Sequence, residues 1–167
     1  MECTFSPHMR PHPILQPLLI IAVAASCHAD SVVGPRDVRR LVRAQALWNA
    51  RPFADYRYEI RISCFCPPEM NQWTRVSVRG GAVVAAEAVD PDPLFPISDI
   101  RFWVPIDVLF ENLYESMIQP ASRSYLDEIV VDYDSELGYP TSIEYRARSN
   151  VSDGGAVYSL RNVTPLE

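Results

Sequence analysis

Two cysteines separated by one residue are the part of this sequence best suited to chemistry. Cys64-Phe65-Cys66 closes a stretch that alternates apolar and polar residues from Tyr56 onward. In an extended strand, residues i and i+2 point to one side with Cα atoms about 6.6 Å apart, the far edge of disulfide geometry. The pattern favours a local disulfide at the end of an apolar row. Redox exchange by an easily reduced bond and Cu(I) binding by two thiolates stay open as alternatives.

The histidines limit what other chemistry the chain can do. His8, His12 and His28 all lie in or beside the N-terminal leader, so the body of the protein has none. It therefore lacks the commonest general base, imidazole metal ligands and any Ser-His or Cys-His pair. The sequence also has no P-loop and no G-x-G-x-x-G segment. We therefore expect no catalytic residues, no metal and no cofactor, and the sequence favours a non-enzymatic role.

A short acidic segment resembles a calcium loop without completing one. Asp132-x-Asp134-x-Glu136 precedes Gly138, one position later than the EF-hand pattern places its glycine, and the twelfth position is Ile143. We therefore interpret Asp134 as a turn cap, because an Asp side chain commonly accepts hydrogen bonds from the backbone that follows it.

The N-terminus has the layout of a secretory leader. Residues 14–25 are apolar apart from Gln16 and Pro17, follow a short basic segment and end in small residues. The stretch is shorter than the roughly 20 apolar residues that span a bilayer. The sequence therefore predicts a signal peptide over residues 1–26, with Met9 as the true start.

Two interpretations of the site at which the leader is cleaved are possible. Ala24-Ala25-Ser26-Cys27 resembles a bacterial lipobox, which would make Cys27 the lipidated first residue and 27–34 a short linker. The alternative is ordinary cleavage after Ala29, which would release a soluble periplasmic or secreted protein. Both leave an even number of thiols in an oxidising compartment. We favour the lipid anchor, and so predict an exported protein of the cell envelope.

The composition describes one acidic domain, predicted over residues 35–167. The 167-residue chain has a formal net charge of −6, and its 15 basic residues are all Arg. An acidic body with no basic stripe along the sequence argues against nucleic acid and against anionic lipid as partners. We expect contact with a membrane only through the anchor at Cys27.

Hydrophobic periodicity predicts an α+β fold with the order α-βββ-α-βββ. The first helix begins at Pro35 and is ended by Pro52, and the second carries an apolar face from Ile106 to Met117. Gly80-Gly81 predicts a tight hairpin between the second and third strands. Alternating residues predict about six strands, which would form an antiparallel sheet with the helices packed on one face. The predicted strands are 55–66, 75–79, 83–89, 129–133, 143–147 and 157–163.

The long segment 90–105 combines many Pro and Asp residues with large apolar side chains. Such side chains either fold back onto the core or form an exposed patch that marks a partner site. We take the patch as the candidate partner surface, formed by Leu94, Phe95, Phe102 and Trp103.

Several short motifs follow one another along the chain in a fixed order: Trp48, Tyr56-x-Tyr58, Cys64-x-Cys66, a Gly-rich hairpin, Ile106–Phe110, Tyr133-Asp134 and Gly138-Tyr139-Pro140. This order resembles a family of small bacterial envelope proteins, many of them lipoproteins, classed as a domain of unknown function. The resemblance spans residues 40–150, implies secretion and a helix-plus-sheet domain, and brings no catalytic residues with it. Our leading hypothesis is a non-enzymatic binding or interaction module of the envelope that uses the candidate partner surface.

Overall fold

The computed structural model describes residues 33–119 and 125–167. The predicted signal peptide, Met9, Cys27 and Ala29 lie outside the described residues. The described elements are α1 (Pro35–Asn49), β1 (Tyr56–Cys64), β2 (Thr74–Arg79), β3 (Ala82–Ala88), α2 (Ile106–Ile118), β4 (Leu126–Tyr133), β5 (Pro140–Ala147) and β6 (Ala156–Pro165), with one-turn 3-10 helices at Pro68–Asn71 and Ile100–Phe102.

The predicted α+β class and the α-βββ-α-βββ order are confirmed. The six strands form one antiparallel sheet in the order β3-β2-β1-β6-β5-β4, so β1 and β6 join the two halves at its centre. The first strand is shorter than predicted, because it ends at Cys64 rather than Cys66. A bend at Phe65 and Cys66 follows, and the strand cannot resume after it because Pro67 and Pro68 have no backbone N–H to donate.

Alternation along β1 separates a core face of the sheet from an outer face. Tyr56, Tyr58, Ile60 and Ile62 are at most 3% exposed, whereas the residues between them point away from the core. Trp48 of α1 packs edge-on against the Tyr56 ring, with 5.0 Å between centroids. Phe110 of α2 stacks on Tyr133 at the far end of the same core. Both helices therefore cover the core face.

One carboxylate at the start of α2 joins three parts of this core. Asp107 accepts hydrogen bonds from Trp48 Nε1 (3.0 Å), Tyr56 Oη (3.2 Å) and Arg51 Nη2 (3.4 Å). Tyr56 Oη in turn accepts one from the backbone N–H of Ile106 (2.9 Å). Burial raises the pKa of the Tyr56 phenol and the nearby Asp107 charge raises it further, so the hydroxyl stays protonated and can donate. These contacts fix α2 against both α1 and β1.

The β4–β5 turn packs directly on α1. Asp134 Oδ1 accepts hydrogen bonds from the N–H groups of Glu136 (3.0 Å) and Leu137 (2.7 Å), which confirms the predicted turn cap. Gly138 has φ +79°, and a Cβ atom there would lie 2.2 Å from the carbonyl oxygen of Ala44. The turn can approach the helix this closely only because the residue is glycine.

Replacing Asp107 should weaken the contacts that hold α2 against α1 and β1. We expect Asp107→Ala to lower the free energy of unfolding by about 1–3 kcal/mol, because three donors lose their acceptor at a half-exposed site. Glu111→Ala, at an exposed position of the same helix, should change it by no more than about 0.5 kcal/mol. Chemical denaturation of both variants measures the difference. Equal midpoints would show that the carboxylate does not hold the helix in place.

Candidate functional site

The cysteine pair sits where β1 ends. Cys64 is the last residue of the strand and packs against the core, while Cys66 lies beyond it in the bend that follows. The two sulfur atoms are in contact and the Cα atoms are 5.3 Å apart, closer than the spacing expected for a straight strand because the chain bends here. Both residues are half-buried. Their proximity fits the predicted disulfide, which itself stays a prediction.

The segment after the cysteines supports the long loop 90–105. Gln72 Nε2 donates a hydrogen bond to the carbonyl oxygen of Phe95 (2.7 Å), and Ser98 Oγ lies 3.3 Å from Glu69 Oε1. A cleft of about 340 Å³ opens between this segment and the loop. Its lining residues are Pro68, Asn71, Gln72, Asp92 and Phe95. These contacts therefore hold the loop in a defined position close to the end of β1, where the cysteines lie.

Three of the four predicted surface residues are exposed. Leu94 is 80% exposed, Phe95 42% and Phe102 39%, whereas Trp103 is 3% exposed and lies in the core. The inclusion of Trp103 in the partner surface was therefore wrong. Trp103 follows the 3-10 turn in extended conformation, where neighbouring side chains point to opposite sides, so it turns inward while Phe102 stays outside.

Ile100 belongs with the exposed apolar residues although the sequence did not single it out. It is 44% exposed, at the start of the 3-10 turn that carries Phe102. Its position inside the same loop could have identified it from the sequence. We call the resulting patch the loop surface; it comprises Leu94, Phe95, Ile100 and Phe102.

A buried glutamate organises the outer face of the sheet. The Glu59 side chain is 8% exposed. It accepts hydrogen bonds from Arg75 Nη2 (3.1 Å), Arg161 Nε (3.0 Å) and Asn162 Nδ2 (2.9 Å). Burial on its own would raise the pKa of Glu59, but these hydrogen bonds outweigh it and hold the pKa below its ordinary value. Asn162 has φ +55° at a β-bulge in the β1–β6 pairing, which lets Arg161 and Asn162 reach one carboxylate.

Arginines and a tryptophan surround this glutamate. The Arg161 guanidinium carbon lies 3.9 Å from the Trp73 ring centroid, and that of Arg61 lies 5.2 Å from it. Arg57 faces the same way two residues before Glu59. Sequence reasoning missed this cluster because its members come from β1, β2, β6 and the residue before β2. The only signal was the polar half of the alternation along β1.

A smaller cleft of about 120 Å³ lies between both helices and the edge strand β4. Asp37 and Arg40 of α1 and Tyr133 of β4 line it. Arg40 Nη2 donates a hydrogen bond to the carbonyl oxygen of Val131 (3.2 Å) and so covers part of the free strand edge. Burial raises the pKa of the Tyr133 phenol, whose oxygen is buried without a hydrogen-bond partner among the described residues.

The remaining titratable groups suggest no metal centre in residues 33–119 and 125–167. No group of three or more His, Cys, Asp or Glu side chains there is arranged to hold a metal ion. The acids Glu128 and Asp132 instead pair with Arg146 and Arg40. Within the same part of the chain, neither helix is both long and apolar enough to cross a membrane.

Comparison with known proteins gives one match. A family of unknown function (DUF6174) matches residues 40–165, most of the chain. No curated protein and no solved structure matches the sequence.

The glutamate network predicts a pH-dependent contribution to stability. We expect Glu59→Gln to lower the free energy of unfolding near neutral pH by about 1–3 kcal/mol, because the charged hydrogen bonds weaken. The folded pKa lies below the reference value of 4.5. The difference from wild type should therefore be fully present above that value and shrink as the pH falls through the folded pKa.

Denaturation curves at several pH values check this expectation. Glu87→Gln removes an exposed carboxylate that faces Arg75 across the β2–β3 pairing, and should change stability little at any pH. A Glu59→Gln deficit that stays constant on acidification would contradict the role given to the charge.

Proposed function

We propose that this chain, which belongs to the family of unknown function DUF6174, is a non-enzymatic binding module of the bacterial cell envelope. In this proposal the protein is exported and anchored by a lipid at Cys27. The loop surface contacts its partner. The basis for export is the layout of the leader, and the basis for the partner site is the shape and exposure of the loop.

The single observation that carries the proposal is the exposure of four large apolar side chains within one loop. Leu94, Phe95, Ile100 and Phe102 are all between 39% and 80% exposed. Apolar side chains left in water carry a free-energy cost that a partner would remove. Exposed apolar patches are typical of interaction sites.

The loop is held in shape by its own polar contacts. Asp92 Oδ1 accepts a hydrogen bond from the N–H of Leu94 (2.9 Å), and Asp99 Oδ1 accepts one from the N–H of Arg101 (2.9 Å). Gln72 fixes Phe95 from the neighbouring segment. Because these turns are already formed, less conformational entropy is lost when a partner docks.

The surroundings define the chemistry of the partner. The cleft beside Phe95 has room for an apolar side chain, and Pro68 forms part of its wall. Asp90 and Asp92 are exposed in the same loop, and the whole protein is acidic. We therefore propose a protein segment that presents an apolar residue flanked by Arg or Lys.

Two charges introduced into the loop surface should abolish capture of this partner. We expect the double variant Leu94→Asp with Phe95→Asp to lose the protein that wild type cross-links in the native envelope. Burying a carboxylate in the contact is unfavourable. Val42→Asp, at a 52% exposed position of α1, is the matched control and should capture normally. Undiminished capture by the double variant, with thermal unfolding unchanged, would refute the loop surface.

A second candidate function is thiol chemistry at Cys64 and Cys66. The observation that favours it is that the sulfurs touch in a half-buried position at a strand end, where a reagent can approach. In redox exchange, a disulfide here would oxidise an external dithiol, gaining two electrons and two protons as the dithiol becomes a disulfide. In the reduced form, the two thiolates would hold Cu(I).

Thiol titration separates the two candidates. If the protein is a binding module, the mature periplasmic protein should show no free thiol before or after treatment with a mild reductant. Two thiols released by mild reductant would support the redox candidate instead. A variant with Cys64→Ser and Cys66→Ser should then fold but lose the exchange reaction. An unchanged phenotype of that folded variant would contradict both thiol functions.

A further inference from the structure

We propose that the outer face of the sheet binds a phosphate dianion, at a site formed by Arg57, Arg61, Arg75 and Arg161 around Glu59 and Trp73. We call these four side chains the arginine site. It lies on the opposite side of the sheet from the helices and shares no residue with the loop surface. An experiment can therefore refute the arginine site without refuting the loop surface, and the reverse.

Strand pairing places the four arginines around one point. Glu59 lies opposite Arg75 on β2 and opposite Arg161 on β6. Arg57 and Arg61 precede and follow Glu59 by two residues on β1, so they share its face. Neighbouring strands are about 4.8 Å apart, and residues four apart on one strand are about 13 Å apart. All four guanidinium groups can therefore reach a single small ligand above Glu59.

The local charge fits a dianion. Four arginines meet two glutamates, Glu59 at the centre and Glu87 opposite Arg75. Among the described residues, neither Arg57 nor Arg61 pairs with a carboxylate. Two positive charges therefore stay uncompensated, and one phosphate dianion would neutralise both. Guanidinium groups match phosphate oxygens because they present paired donors in a fixed plane.

Trp73 holds two of these groups ready to bind. Its ring contacts the guanidinium groups of both Arg161 and Arg61. Arg161 uses Nε for Glu59, and its terminal nitrogens have no hydrogen-bond partner among the described residues, so they can face a ligand. Arg61 Nε is buried and has no hydrogen-bond partner in the described residues. The ring, and not an acid, therefore orients Arg61, so its positive charge is available to an anion.

The rest of the face favours a compact anion over a long polyanion. On the β4–β5 half of the sheet, Glu144 and Glu128 face outward with Arg146 between them. That half has an excess of negative charge and would repel a phosphate chain that extended across it. The arginine site is therefore suited to one phosphate group, either free or at the end of a small headgroup.

Titration of the mature protein with inorganic phosphate tests the site. At about pH 8, where the dianion predominates, we expect saturable binding by calorimetry. Arg57→Gln and Arg61→Gln should each raise Kd about tenfold, because each removes a charged hydrogen bond. Arg43→Gln, an equal loss of charge at an exposed position of α1, should leave Kd unchanged.

Fluorescence gives a second readout. Trp73 is half-buried beside the arginines, whereas Trp48 and Trp103 are in the core. Phosphate should therefore change the emission of wild type but not of Trp73→Phe. Thermal unfolding confirms that each variant folds. An affinity for phosphate that survives in the folded double variant Arg57→Gln with Arg61→Gln would overturn the proposal.

Two further binding experiments identify the source and the chemical class of the anion. Vesicles that contain phosphatidic acid present the same group as a lipid headgroup, so binding to them that is stronger than binding to vesicles of neutral lipid alone, or binding to free phosphate, supports the site. Absence of binding to both would overturn it. Acetate carries one charge and should bind at least tenfold more weakly than phosphate. Equal affinity for acetate would contradict the assignment of a dianion.

Discussion

The position of Asp107 is the constraint on which the rest of the structure depends. One carboxylate in the first turn of α2 accepts hydrogen bonds from α1, from β1 and from the segment that links them. The long loop ends just before this helix, and Tyr58 Oη donates a hydrogen bond to the carbonyl oxygen of Val104. The hydrogen bonds that hold the two helices together therefore lie beside the contact that fixes one end of the long loop. The fold and the candidate site depend on the same region of the core.

Much of the fold could be predicted because it follows from local signals. Periodicity separated helices from strands, Pro35 marked the start of α1, and Gly80-Gly81 marked a hairpin. The errors came where direction depends on a bend. Cys66 lies in the bend that follows β1, and Trp103 turns inward after a single 3-10 turn. Alternation fixes the side on which a residue lies only while the backbone stays extended.

The two candidate surfaces differed in how visible they were in the sequence. The loop surface is a run of apolar residues within one segment, so composition alone revealed most of it. The arginine site is built from positions as distant as Arg57 and Arg161, and strand pairing and a bulge at Asn162 bring them together. An acidic total charge also concealed it. Register between distant strands depends on the whole fold, which a pass along the chain does not contain.

The uneven distribution of charge over the outer face of the sheet affects how the molecule rotates as it approaches a charged surface. Guanidinium groups dominate over β1, β2 and β6, while Glu128 and Glu144 outnumber Arg146 over β4 and β5. This separation gives the outer face of the sheet an electric dipole component in its plane. A charged surface within about a Debye length of this face would exert a torque on it and bias its rotation. Added salt screens these charges and would weaken the bias.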